Sequence, residues 1–107
     1  MRITVTARHC DVSSDLRERA RALVHRLARV ASRPHDGQVI FADDHGVATV
    51  ELRLHTARGV VVVGRAEATD HRSALDRAAA RVRRQLDKSP TKRSGPARRR
   101  SAARGVE

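Results

Sequence analysis

Aromatic residues are almost absent from the sequence: Phe41 is the only one, and there is no tryptophan or tyrosine. Proteins that bind single-stranded nucleic acid stack its bases on aromatic side chains, so the composition argues against that mode of binding. A single cysteine, Cys10, excludes an intramolecular disulfide and agrees with a reducing compartment. No apolar run approaches the roughly 18 residues of a membrane-spanning helix, and the N-terminus lacks a signal-peptide segment. We therefore expect a cytoplasmic protein.

Acidic residues are also few. The chain has 12 of them against 23 Lys and Arg, which gives a net charge of +11. Residues 1–87 carry 16 of the basic side chains against 11 acids, and residues 88–107 carry the other 7 against Glu107 alone. A surface of this charge attracts polyanions at long range, so RNA and DNA are candidate partners and a membrane is a weaker one. Arginine chemistry favours structured RNA, but composition does not choose between RNA and duplex DNA.

Hydrophobic periodicity predicts six secondary-structure elements. They follow the order strand, helix, three strands and helix, at residues 2–8, 13–31, 38–42, 47–56, 60–69 and 70–88. A helix between the first two strands implies a right-handed crossover that makes them parallel, and the short later turns make the other pairs antiparallel. The predicted fold is a single α+β domain, β-α-β-β-β-α, whose four-stranded mixed sheet has both helices on one face and a polar, solvated opposite face. Its domain covers residues 1–88.

The chain beyond Lys88 has a different composition. Ser89 and Pro90 stop the helix, and residues 89–107 are Lys, Arg, Ser, Gly, Pro and Ala with almost no apolar bulk. Such a segment cannot bury enough apolar surface to fold by itself, so we predict a disordered basic tail.

The last predicted helix has two unlike faces. Its apolar residues, Leu75 and Val82 among them, fall within about one third of a turn. A cationic stripe lies opposite, formed by Arg77, Arg81, Arg84 and Lys88. An ordinary solvated helix face interleaves acids with bases, and this stripe contains no acid. The pattern therefore favours a phosphate-binding surface over a merely soluble one.

Catalytic and metal-binding patterns find little support. Cys10 beside His9 is the one thiol and base pair, but neighbouring residues on a strand point to opposite faces. Asp43, Asp44 and His45 form a polar turn without the ligand spacing of a calcium or zinc site. His71 lies at the edge of an apolar face, which is typical of packing. We predict no enzyme activity, no catalytic residue, no metal site, no cofactor and no small-molecule substrate.

Two segments resemble the bacterial ribosome hibernation-promoting factor family, also called ribosome-associated translation inhibitors or sigma-factor modulation proteins. The first is Ile3-Thr4-Val5-Thr6-Ala7-Arg8-His9 with Val12-Ser13 and Leu16-Arg17. The second is Ala66-Glu67-Ala68 followed by Asp70, Ala74-Leu75-Asp76 and Arg84-Gln85-Leu86. Together they span nearly all of residues 1–88 in the same order of strands and helices. The sequence departs from the family pattern at Arg72, where an aromatic residue is usual, and at Leu23, where a basic one is frequent.

The resemblance implies a function. Family members dock on the small ribosomal subunit in the channel used by messenger and transfer RNA, with two basic helices against ribosomal RNA. By position, the matching residues here are Arg17, Arg26, Arg29, Arg81, Arg84 and Lys88, to which the stripe adds Arg77. The chain resembles the short class, so we expect a monomer off the ribosome that acts in hibernation or stress. A general RNA- or DNA-binding protein remains the alternative, and a small metal-dependent or cysteine enzyme is a third reading.

Overall fold

The computed structural model describes residues 1–88, so the predicted tail at 89–107 lies outside the described residues. A short 3₁₀ turn, Ala57–Gly59, joins the last two strands. The main elements are β1 (Arg2–Arg8), α1 (Ser14–Arg29), β2 (Asp36–Asp44), β3 (Val47–His55), β4 (Val61–Ala68) and α2 (His71–Lys88). The predicted order of strands and helices is confirmed.

The four strands form one sheet in the order β1-β2-β3-β4. β1 is parallel to β2, and the other two pairs are antiparallel, as predicted. The core lies between this sheet and both helices. Phe41, Leu52, Leu54 and Leu75 are its largest fully buried side chains, and Leu27 of α1 joins the same cluster. The single aromatic residue, Phe41, is therefore part of the core.

Some boundaries differ from those predicted. β2 is longer than the predicted 38–42 because it pairs along its whole length with β3 and along most of it with β1. The predicted four-residue turn is a two-residue turn, His45 and Gly46, with φ angles of 53° and 83°; both positive values are typical of tight hairpins. α1 ends at Arg29 because the N–H groups of Val30 and Ala31 bond to carbonyls three residues back, which tightens the last turn.

Both helices begin at the same end of the sheet. The Ser13 hydroxyl accepts a hydrogen bond from the Leu16 N–H at 3.1 Å, and the Asp70 carboxylate accepts one from the Ser73 N–H at 3.0 Å. These bonds satisfy amides that a helix N-terminus leaves free. We call this the hairpin end (residues 8–15, 43–47 and 67–72) and the opposite one the helix-exit end (residues 1–2, 26–36, 53–61 and 83–88).

Gly64 sets how closely α2 approaches β4. A Cβ atom at this position would collide with the Ala78 carbonyl oxygen and would lie 2.7 Å from the Val82 Cγ2 atom. Glycine inside a strand often marks such a close approach of another backbone. The helix is therefore close enough to the edge of the sheet for its side chains to reach the backbone of β4.

The sheet face away from the helices is mostly polar, as predicted, but it is not uniformly exposed. Thr49, which the alternation along β3 places on this face, is only 6% exposed. It sits on the central strand β3, directly between Ala42 of β2 and Glu67 of β4, so neighbours on both sides cover it.

Candidate nucleic-acid interface

Six of the seven predicted RNA-binding side chains are exposed, and four of these six lie toward the C-terminal ends of α1 and α2. Within residues 1–88, none of the four makes a hydrogen bond or ion pair. They are Arg26, Arg29, Arg84 and Lys88. Arg26, Arg29 and Lys88 lie in the last turns, where cations complement the negative ends of the helix dipoles and so have a modest structural role. Their charged groups remain available to an external anion.

Arg77 and Arg81 are placed differently. The Arg77 guanidinium donates to the Glu67 carbonyl at 3.0 Å, and the Arg81 guanidinium donates to the Arg65 carbonyl. Four residues of helix rise about 6 Å, and two residues of strand advance about 6.6 Å. The helical spacing of the arginines therefore matches the spacing of alternate carbonyls on β4. These two side chains cover part of the sheet edge that β4 forms.

Arg17 has a similar place at the other edge of the sheet. Its guanidinium donates to the Val5 carbonyl of β1 at 3.3 Å, and its side chain is partly buried. Three of the seven predicted residues therefore bond to backbone carbonyls at the sheet edges, whereas the other four have no partner within residues 1–88. A guanidinium has five N–H donors, so one backbone bond orients each group while leaving donors for a phosphate.

The two helices are joined by an ion pair between them. Arg19 of α1 lies 2.9 Å from Asp76 of α2. On the same helices, Arg21 pairs with Glu18 and Arg83 pairs with Asp87. These partners neutralise arginines that sequence inspection counts as free charge, and the predicted RNA-binding residues that keep no partner lie toward the C-terminal ends of the two helices.

Charge is also divided along the length of the molecule. The hairpin end holds six acids and two arginines, whereas the helix-exit end holds nine basic residues and two acids. The crossover and hairpin topology produces this division because both helices run away from the hairpin end. A polyanion that approaches the helix-exit end therefore meets basic side chains that come from both helices and loops.

Two further arginines at the helix-exit end belong to no pattern in the sequence and were not predicted. Arg33 and Arg58 lie on separate loops and are not fully buried, with φ angles of 50° and 64°. The Ala57 N–H donates to the Ser32 carbonyl at 3.1 Å, which holds the two loops together. A left-handed conformation is uncommon for arginine. The signal available in the sequence was topological: both loops follow elements that end at this side of the sheet.

The remaining candidates have structural roles. The His71 ring bonds to the Ala42 carbonyl at 2.7 Å and packs edge-on against Phe41 at 5.8 Å, in agreement with the predicted packing role. His45 bonds to Asp44 at 2.7 Å. Among residues 1–88, no group of three or more His, Cys, Asp or Glu side chains is arranged to hold a metal ion. No helix in this part of the chain is long and apolar enough to cross a membrane.

One carboxyl group has a perturbed acidity. Hydrogen bonds from the Ser73 hydroxyl and from its backbone N–H lower the pKa of Asp70 below its ordinary value, and the nearby His71 and Arg72 act in the same direction. Asp70 therefore stays ionised and caps α2. The shift belongs to helix capping rather than to catalysis.

Comparison with known proteins identifies the family. Residues 3–94 match the sequence profile of the family described as Sigma 54 modulation protein / S30EA ribosomal protein, and the chain belongs to this family. The membership predicted from the two sequence segments is confirmed. No curated protein sequence gives a significant match.

Solved structures agree in fold. A ribosomal subunit interface protein from Coxiella burnetii superposes with a TM-score of 0.71 at 23% identity, covering 82% of this chain and 96% of that one. The N-terminal domain of Thermus thermophilus Protein Y gives 0.71 at 22% identity, covering 82% and 98%. At this identity the likeness establishes the shared fold, with two helices on a four-stranded mixed sheet.

Proposed function

We propose that this protein is a cytoplasmic, ribosome-associated translation inhibitor that binds ribosomal RNA of the small subunit. The family description includes a ribosomal protein, and one structural neighbour is a ribosomal subunit interface protein. The observation that carries the proposal is the set of unpaired cations on adjacent helices, Arg26, Arg29, Arg84 and Lys88. Rigid elements that present unpaired cations suit phosphate groups held in a fixed arrangement.

The proposed mechanism is steric. The folded body occupies the decoding channel and leaves no room for messenger or transfer RNA, so no bond is made or broken and no catalytic residue is needed. Arg17, Arg77 and Arg81 act beside the four unpaired residues because their backbone bonds hold the guanidinium groups in place. Ordering these side chains before binding reduces the entropy lost on association.

The first experiment tests ribosome selectivity. Purified small subunits are sedimented with the protein in the presence of a matched excess of free RNA or duplex DNA. Retention on the subunit despite both competitors is the expected result. Equal distribution between subunit and competitors would indicate the alternative, a general nucleic-acid-binding protein. Substrate turnover without ribosomes would support the enzyme reading.

The second experiment tests the site on the subunit. We expect bound protein to prevent the assembly of messenger and initiator transfer RNA on the small subunit, and a preassembled complex to exclude the protein in turn. Simultaneous binding of the protein and both RNAs would contradict occupation of the channel even if the protein binds ribosomes selectively.

A further inference from the structure

β4 is an edge strand whose sequence favours strand pairing. It follows Val60 and begins with three further valines, and Val61 and Val63 are 43% and 39% exposed. Exposed edge strands rich in β-branched residues are templates for pairing with another chain. The protein can therefore stay monomeric only if other groups cover this edge.

Three side chains of α2 cover three of the carbonyls that β4 directs to its free edge. Arg77 donates to Glu67 at 3.0 Å, Arg81 donates to Arg65, and Gln85 donates to Val63 at 2.5 Å. The N–H and C=O of one strand residue point toward the same neighbour, so the amides of the same strand residues also face this edge. The cover satisfies the carbonyls and places α2 side chains in front of the amides.

We propose that Arg77, Arg81 and Gln85 close the β4 edge against pairing with β4 of a second copy and thereby keep the chain monomeric. When the three side chains are shortened, two copies join their sheets through antiparallel β4 strands. This inference does not depend on ribosome binding.

A second copy is the partner that fits the edge. Four side chains of β4 lie on the open face of the sheet: Val61, Val63, Arg65 and Glu67. A twofold axis at Gly64 would pair each of them with a residue of the second copy. That register sets Val61 opposite Glu67 of the second copy and Val63 opposite its Arg65. No like charges then face each other directly, which cross-strand pairing would penalise. Each copy supplies both the donors and the acceptors that the other needs.

Overall charge opposes the same association. At +11 per chain, two copies repel each other at low salt, and added salt screens the repulsion. Removing arginines therefore reduces repulsion as well as uncovering the edge, and the experiment has to separate the two effects.

The test uses the triple variant Arg77→Ala/Arg81→Ala/Gln85→Ala, studied by sedimentation velocity and by amide hydrogen exchange. Its control is Arg84→Ala/Lys88→Ala, which removes the same charge from the same helix without touching the cover. We expect the wild type and the control to be monomers. The triple variant should dimerise with a dissociation constant at least tenfold lower than that of the control. Its amide hydrogens across residues 61–67 should also exchange more slowly than those of the control.

A rescue and three smaller changes complete the test. Adding Val63→Lys to the triple variant should restore the monomer, since lysine on an edge strand disfavours pairing. Should the triple variant fail to fold, the single changes Arg77→Ala, Arg81→Ala and Gln85→Ala each expose one carbonyl and should each increase association partially. Dimerisation of the control, protection at another surface, or monomeric variants throughout would overturn the proposal, as would a wild-type dimer joined through β4.

Discussion

The hairpin end and the helix-exit end are built from the same strands and helices but carry opposite charge. Acids at the hairpin end cap and complement the N-termini of α1 and α2, while bases at the helix-exit end complement their C-termini. Helix dipoles explain part of this division. They do not explain Arg33 and Arg58, which lie on loops and are held in an uncommon backbone conformation. The helix-exit end therefore carries more positive charge than is needed to complement the C-terminal ends of the two helix dipoles.

The largest predicted effect comes from breaking the core that holds the two ends in one body. Leu75 is fully buried and Leu27 is 4% exposed. Either Leu→Ala change should lower the free energy of unfolding by roughly 2–5 kcal/mol, because both transfer energy and packing are removed. Thermal denaturation measures this effect, and unchanged melting temperatures for both variants would reject the packing described. Ala80→Ser on the exposed face of α2 is the control.

The next effect compares the helix side of the molecule with its open sheet face. Changing Arg26, Arg29, Arg84 and Lys88 to Gln should weaken small-subunit binding by roughly 10²–10³-fold. Each phosphate that the variant no longer neutralises should also make the log–log salt slope shallower by about 0.7–0.9. Stability should change little, because these side chains have no partner within residues 1–88.

A matched control compares two charges on each surface. Arg8 and Arg65 are exposed on the sheet face and lie outside the helix-exit end, so Arg8→Gln/Arg65→Gln has the same net charge as the helix variant Arg84→Gln/Lys88→Gln. If this variant loses as much affinity as the helix variant, binding depends on total charge and the proposed interface is wrong.

A smaller effect concerns the chain beyond the helix-exit end. Residues 89–107 carry six Lys or Arg and Glu107, and α2 ends at Lys88, so the basic tail continues from the cationic end. Basic segments with little apolar bulk accelerate encounter with a polyanion but lose entropy on binding. We predict that truncation after Lys88 weakens binding severalfold, with the ribosomal RNA footprint retained. A shifted footprint, or the same footprint from the isolated tail, would contradict this division of roles.

The smallest effect lies at the hairpin end. Because folding lowers the pKa of Asp70, its ionised form stabilises the fold at pH values above its ordinary pKa of 3.8. This contribution is lost as the pH falls through the lower pKa of the folded state. Asp70→Asn keeps a capping side chain without this titration. The melting temperature of the wild type should therefore approach or fall below that of the variant as the pH drops below 3.8. Parallel pH profiles would show that the cap charge contributes nothing.

Much of this arrangement could be predicted from the sequence. Helical periodicity identified the core face and the cationic stripe of α2, and alternation identified the strands. Periodicity could not show that Arg77 and Arg81 bond to strand carbonyls while Arg84 does not. That distinction depends on the register between α2 and β4, which the close approach at Gly64 permits.

The loops could not be predicted in the same way. Arg33 and Arg58 are far apart in sequence and have no shared pattern. The topology places their loops at one end of the sheet, and the hydrogen bond between Ser32 and Ala57 shows that the two loops are in contact. Similarly, alternation assigned Thr49 to the correct face but could not show that neighbouring strands bury it.

The most direct test of the proposed interface asks which end of the molecule meets ribosomal RNA. Val60 at the helix-exit end and Val47 at the hairpin end are 41% and 39% exposed, so they form a matched pair. In a Cys10→Ser background, Val60→Cys and Val47→Cys each carry a tethered iron probe that cleaves nearby RNA through hydroxyl radicals. We predict strong, localised cleavage of small-subunit RNA from position 60 and several times less from position 47. Equal cleavage from both positions, or stronger cleavage from position 47, would contradict binding through the helix-exit end.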